Sequence, residues 1–208
     1  MLDIGYELKM RGAKNIFTCA TFPLFTAGLD IIVARYEQHF INNGENLRLG
    51  NPTPGNMAGG LSTLEEKSLG CIHKGGESII EEVFDYGKQI PDERKGLVVM
   101  DTPGNDPSSI AGMLAGGAQI CVYSTGLGTP LGSPIAPIIK ITGNAETFRM
   151  MEDNIDFDAS PVITRGAFAK DLADCLYDDM LEYCNGKLTK AEALGFTETA
   201  VMRACNYV

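Results

Sequence analysis

The chain has 208 residues, 44% of them hydrophobic, and a formal net charge of −10. That length accommodates one sizeable domain with its own core. The negative balance and the lack of a basic stripe with interleaved aromatics exclude a phosphate-backbone reader; no apolar run is long enough to span a bilayer, and no stretch reads as a signal peptide.

The cysteines are Cys19, Cys71, Cys121, Cys175, Cys184 and Cys205, none in C-x-x-C spacing. They read as reduced, mostly packed thiols, which places the protein in the cytoplasm. His39 and His73 do not supply a zinc cluster. Glycine is abundant, 24 of 208, against a usual level of about 7%, and it gathers in loops between apolar runs.

In chain order, Leu2–Arg11 reads as a helix with no upstream partner. Lys14–Cys19 reads as a buried strand, and Ala27–Ile41 as a helix with Leu29, Ile32, Val33, Tyr36 and Phe40 at helical spacing. Residues 1–50 are therefore expected to be a partial strand–helix segment, the end of an upstream domain, and residues 51–208 a separate carboxyl-terminal domain.

Asn51–Gly76 is the stretch around which the chain is organised. Pro52, Pro54, Gly55 and Asn56 mark an irregular loop, and Gly59-Gly60 lets the backbone approach a partner closely. A short helix is expected next. Ser62 and Glu65 have the spacing of a capping box. Glu65, Glu66 and Lys67 then crowd two carboxylates and an amine into one turn. This is either a solvated surface helix or part of a site that the loop before it completes.

Ser78–Tyr86 reads as a strand. Leu97–Asp101 is an apolar strand ending in an acid, followed by the loop Thr102–Asp106. Pro107–Gly116 is a small-residue helix, with Asp106 as expected N-cap. Gln119–Ser124 and Pro137–Thr142 are further apolar strands around the glycine loop Thr125–Ser133. Strands that do not alternate, separated by a helix, point to an α/β, Rossmann-like parallel sheet with flanking helices and glycine-rich loops at the strand carboxyl ends. Ligands sit at that end of such sheets.

Ala145–Met151 is expected to be helical, and Asp156 and Asp158 share a face if Ile155–Ala159 is extended. Arg165–Cys184 reads as an amphipathic helix burying Phe168, Leu172, Cys175, Leu176, Met180 and Tyr183. Lys187–Gly195 is a last short helix, capped by Thr189 with Glu192 three residues on.

The G-x-G in Thr125–Thr129 lacks the third glycine and the following helix of a dinucleotide fingerprint, and no phosphate-binding P-loop is present. Such a loop still offers N–H groups to an anion. No Ser-His-Asp or Cys-His arrangement emerges. The remaining chemical groups are Glu65, Glu66, Lys67, Asp101, Asp106, Lys140, Asp156 and Asp158. Lys140, inside an apolar strand, is either a paired lysine at a strand edge or a cation for a substrate carboxylate. Carboxylates with a hard or borderline divalent metal suit chemistry on a hydroxy acid.

Three segments carry a family resemblance: NPTPGNMAGGLSTLEEKSLGCIHKGG, KGLVVMDTPGNDPSSIAGMLAGGAQICVYSTGLGT and PIIKITGNAETFRMMEDNIDFDA. They resemble the carboxyl-terminal part of the altronate and galactarate dehydratases, a family that also holds sulfolactate sulfo-lyase large subunits. The resemblance covers about residues 42–205. It implies a lyase of cytoplasmic sugar-acid catabolism that uses a divalent metal, Fe2+ or alternatively Mn2+, to convert a polyhydroxy acid into a 2-keto-3-deoxy acid. Asn56, Glu65, Glu66, Lys67, Thr125, Gly126, Gly128, Thr129 and Lys140 match the family's motifs. The resemblance implies Glu65 or Glu66 as metal ligand or base, Lys67 or Lys140 as the grip on the substrate carboxylate, Asn56 as a substrate-binding residue, and the Thr125–Thr129 backbone as an anion cradle.

There are departures. Many dehydratases carry lysine at Met57 and arginine at Leu127, so a smaller or less anionic hydroxy acid is implied. Acids that follow the family's first strand correspond here to Cys19-Ala20-Thr21-Phe22-Pro23, and the upstream Gly-Gly-Ser-Asp motif is missing. An upstream domain or subunit is therefore expected as partner, and a homo-oligomer as the assembly. The rival expectations are a non-catalytic or partner-dependent relative that binds a carboxylate, and a sulfo-lyase acting on a 2-hydroxy sulfonate.

Overall fold

The structure, a computed structural model, describes residues 15–18, 27–44, 52–58, 60–63, 66–67 and 78–201. The expected helix Leu2–Arg11, along with Cys19, Glu65, Cys71, His73 and Cys205, lies outside them.

The strands are β1 (Asn15–Thr18), β2 (Ile80–Phe84), β3 (Gly96–Met100), β4 (Cys121–Ser124), β5 (Ile138–Thr142) and β6 (Phe157–Asp158). The helices are α1 (Ala27–Asn42), α2 (Pro54–Ala58), α3 (Asp106–Ala115), α4 (Ala145–Met150), α5 (Pro161–Thr164), α6 (Ala169–Cys184) and α7 (Lys190–Ala193). The fold is α/β and its strand pairs are parallel, as the apolar runs predict. The strands divide into two three-stranded sheets, β1-β3-β2 and β4-β5-β6. β1, from the 1–50 segment, pairs with β3 from Asn15 opposite Gly96 onward, so the two segments share a sheet.

The second sheet is covered on both faces. Ile138 of β5 joins Phe84, Val98, Met100, Ile110, Met113 and Leu131 in one core, against which Cys121 and Tyr123 of β4 pack. Ile139 and Ile141 turn the other way, onto Leu176 and Tyr183 of α6, with Val122 beside them. The alternation follows the strand period of two, and it leaves every residue of β5 buried. The first core also bridges the two sheets, since it draws on β2, β3 and β5.

Several expectations are corrected. The N-cap of α3 is Asn105, not Asp106: its side chain accepts from Ser108 N, and Pro107 falls within the first turn. Asn105 has the extended backbone an N-cap needs, which places the helix start one residue early. The amphipathic helix begins at Ala169 rather than Arg165, because Pro161–Thr164 forms its own turn. Its buried stripe is Ala173, Leu176 and Tyr183. Phe168 is 77% exposed and Cys175 is exposed. Phe168 precedes the helix with extended backbone, which takes it off the helical face.

Asp156 and Asp158 do structural work. Asp156 accepts from the backbone N–H of Lys140 (2.8 Å) and of Lys190 (2.8 Å), joining β5 to α7. Asp158 accepts from Ser160 N (2.9 Å). Helix α7 carries the expected capping box of Thr189 and Glu192.

Two stability tests follow from these contacts. Asp156→Ala strips two N–H groups of their acceptor and is expected to cost about 2–4 kcal/mol, read from urea midpoints, with Asp156→Asn costing less. The second concerns Tyr183. Burial, then the charge of Asp156, pushes its phenol up from the ordinary 10 to about 12. A raised folded-state value means the stabilisation is complete below 10 and is lost as pH rises through about 12. Stability should decline over that window, and Tyr183→Phe should flatten the decline. An unchanged slope in the variant would refute the assignment.

Candidate functional site

Two helix caps set back to back build the first half of the candidate site. Sequence reasoning treats residues 52–60 as irregular loop, but Pro54–Ala58 is the short helix α2. Thr53 opens it: its Oγ1 accepts from Asn56 N (3.4 Å) and its carbonyl from Met57 N (3.0 Å). Pro54 takes the first helical position, where no N–H is needed. Closure is by glycine. Gly60 has φ +104, Gly60 N donates to Met57 O, and Leu61 N donates to Asn56 O. This pair of bonds, with a left-handed residue between, is the Schellman arrangement.

The second cap follows at once. Thr63 Oγ1 accepts from Glu66 N (3.1 Å), and Glu66 Oε2 accepts from both Ser62 N (2.8 Å) and Ser62 Oγ (2.7 Å). The expected pairing of Ser62 with Glu65 is thus shifted by one: the hydroxyl that receives the helix N–H belongs to Thr63, and Glu66 stands three residues on. These bonds hold the Glu66 carboxyl below its usual range, the Ser62 backbone N–H contributing most, so it is ionised at neutral pH.

Between the caps, Lys67 Nζ donates to Asn56 Oδ1 at 3.1 Å, and both side chains are partly buried. The same Oδ1 accepts from Thr53 Oγ1 (3.0 Å). Asn56 and Lys67 are therefore brought together. Thr53, which sequence reasoning did not single out, orients the pair. The Thr-Pro dipeptide was the available signal, as an N-cap followed by an N1 proline.

The glycine loop after β4 forms the second half. Thr125 N donates to Ile141 O of β5, and Thr125 Oγ1 accepts from Gly128 N (3.0 Å). Thr147 Oγ1 of α4 donates to Gly126 O (2.7 Å). Gly128 has φ +85, and a Cβ there would lie 2.1 Å from Met151 Sδ, so only glycine fits. Thr129 Oγ1 accepts from Leu131 N (3.3 Å). Thr147 has no motif that would have flagged it.

The halves meet. A Cβ added at Gly55 would stand 2.8 Å from Leu127 Cδ1, so the residue before Asn56 lies against the glycine loop. Met57 and Leu127 are 50% and 64% exposed, leaving apolar groups where cations were expected from the family pattern.

The other candidates make different contacts. Lys140 is fully buried, and its Nζ donates to Leu131 O at 2.9 Å. Burial, opposed by the Asp156 charge, lowers its pKa. Asp101 pairs with Arg35 of α1, 66 residues away in sequence. Asp106 is exposed in the first turn of α3. A hard divalent cation needs several oxygen ligands around one point. Of the two carboxylates proposed for it, Glu66 has one oxygen engaged by Ser62, and among the described residues no three His, Cys, Asp or Glu side chains converge as a metal site. The described residues alone do not compose that donor set.

Comparison with known proteins agrees with the motifs. The family model described as D-galactarate/Altronate dehydratase, C-terminal, matches residues 9–206. The chain is similar to an altronate dehydratase of Escherichia coli, 36% identical over 83% of the chain and 34% of the relative. It is similar to an altronate dehydratase of Bacillus subtilis, 34% identical over 94% of the chain and 39% of the relative. It is also similar to a (2R)-sulfolactate sulfo-lyase subunit beta of Chromohalobacter salexigens, 35% identical over 97% of the chain and 52% of the relative. The chain thus spans between about a third and about half the length of these relatives. By a match that runs nearly its whole length, the chain belongs to the D-galactarate/altronate dehydratase C-terminal family.

Proposed function

We propose that this chain supplies part of the active site of a hydro-lyase that converts a sugar acid of altronate or galactarate type into a 2-keto-3-deoxy acid. The contact between Gly55 and Leu127 supports the reading, because it brings the short helix that carries Asn56, the partner of Lys67, against the 125–129 loop. Lys67 would hold the substrate carboxylate as a point charge. The backbone of Thr125, Gly126, Gly128 and Thr129 would receive its remaining anionic oxygens.

The reaction removes the proton α to the carboxylate and breaks the β C–O bond. The departing hydroxide takes up a proton, so one water leaves, and the resulting enol tautomerises to the 2-keto acid. Base and acid are needed on the two sides of that step. Glu66, with its lowered pKa, is a weak base and a good permanent acceptor. The base would be Glu65 or a group from an upstream domain or partner subunit in the cytoplasm. A divalent metal, Fe2+ or Mn2+, would supply charge stabilisation of the enediolate when bound. Its ligands would include Glu65 or Glu66 and others from that partner.

A second reading has its own observations. The sulfo-lyase subunit is matched over the larger share of both chains, and Met57 and Leu127 present apolar surface. Elimination of sulfite from a small 2-hydroxy sulfonate that also carries a carboxylate would use the same α-proton abstraction: the C–S bond breaks in place of the C–O bond, sulfite leaves with the bonding pair, and the enol tautomerises to the 2-keto acid.

The test is turnover of a panel of sugar acids and 2-hydroxy sulfonates, with Fe2+ or Mn2+, in the presence of an upstream partner. Lys67→Met should lower kcat/KM by about 100-fold, with Lys67→Arg recovering part of it. Absence of turnover with every acid and sulfonate would sink both readings. Gly128→Ala should destabilise by about 1–3 kcal/mol, since alanine must adopt a left-handed backbone against Met151. Thermal melts check this, and the variant's KM should rise if the loop holds substrate.

A further inference from the structure

Lys140 raises a question that the proposed chemistry does not answer. It is 0% exposed, at the centre of β5, on the face it shares with Ile138 by the strand period. Burying an ammonium is costly. Methionine would fill a similar space without that cost. What methionine could not do is donate to the Leu131 carbonyl, 2.9 Å from Lys140 Nζ.

That carbonyl needs a donor. Leu131 and Ser133 are each 6% exposed, and Gly132 between them is buried. A buried loop must satisfy its own backbone groups. Pro130, Pro134 and Pro137 take three N–H donors out of this stretch, because proline has none. A lysine offers three donors on a flexible stem and reaches the loop from the strand beneath.

The loop has little slack elsewhere. Thr125 N is bonded to Ile141 O at its base, and Thr147 Oγ1 to Gly126 O at its flank. At its far end a Cβ on Gly132 would come within 2.3 Å of the Phe196 carbonyl. We propose that Lys140 is a positioning residue: its ammonium holds the Leu131 carbonyl and so sets the shape in which loop 125–133 meets the 54–58 segment. It acts on substrate through the loop and does not touch it. This deepens the site proposed above, and only its kinetic arm rests on that reading.

The first arm needs no turnover. Hydrogen exchange is followed by mass spectrometry on the full chain, wild type against Lys140→Met. Amides between Gly126 and Ser133 should exchange about tenfold faster or more in the variant, while those of α6 keep their rates. Loop rates that stay unchanged, or rise only together with the whole molecule, overturn the proposal. If Lys140→Met does not fold, nitrogen NMR of lysine-labelled wild type replaces it. A slowly exchanging Lys140 ammonium coupled to the Leu131 carbonyl is expected, and a freely exchanging one overturns the proposal. In the kinetic arm, Lys140→Met should lower kcat by a larger factor than it raises KM. The reverse split, with loop exchange unaltered, would make Lys140 a direct grip on substrate and defeat the proposal. A wild type without turnover fails the dehydration reading alone and leaves the exchange result standing.

Discussion

β5 has water on neither side. Its apolar residues divide between two cores, Ile138 into one and Ile139 with Ile141 into the other. Every polar group on the strand or packed against it must therefore find its partner inside the protein. Asp156 meets that demand by accepting from the Lys140 and Lys190 N–H groups, which fastens α7 and the chain around it to the sheet. Lys140 meets it by holding Leu131. The glycine loop and the carboxyl-terminal segment are both shaped by what one doubly covered strand requires of its neighbours.

The other half of the site is made by local chemistry. Thr53, Pro54, Gly60, Thr63 and Glu66 terminate and restart the helical backbone within a few residues. Each supplies what a helix end lacks: an acceptor for a first-turn N–H, a residue without one, or a backbone that can turn left-handed. The reversal returns Lys67 to Asn56. A compact polar pair then arises from bonds between near neighbours in sequence, and the approach of Gly55 to Leu127 sets this segment against the glycine loop.

Acidic residues are abundant in this chain, and their sequence positions say little about their use. Asp101, at the end of an apolar strand, has the look of a site residue, yet it pairs with Arg35 of a helix far away in sequence. Asp158 closes a turn onto Ser160, and Asp156 joins two elements. Glu66 takes up two groups of Ser62. A carboxylate is a strong acceptor for backbone N–H groups as well as a chemical group. The nearest unsatisfied donor decides which role it takes.

Local signals carried the elements whose rules are local. The apolar runs at Leu97–Met100, Cys121–Ser124 and Ile138–Thr142 placed the parallel strands, and the Thr189–Glu192 box placed the last helix. The dense motif around Asn56–Lys67 placed the family. One-residue errors at Asn105 and Thr63 arose because adjacent residues compete as caps, and backbone torsion chooses between them. The division of the strands into two sheets, the exposure of Phe168, the partner of Asp101 and the burial of Lys140 had no signal of their own. Periodicity and propensity describe how a segment relates to itself, which a single sequence records. Which distant group fills a cavity or meets a stranded carbonyl depends on the packed arrangement of several segments, and that exists only once the chain has folded.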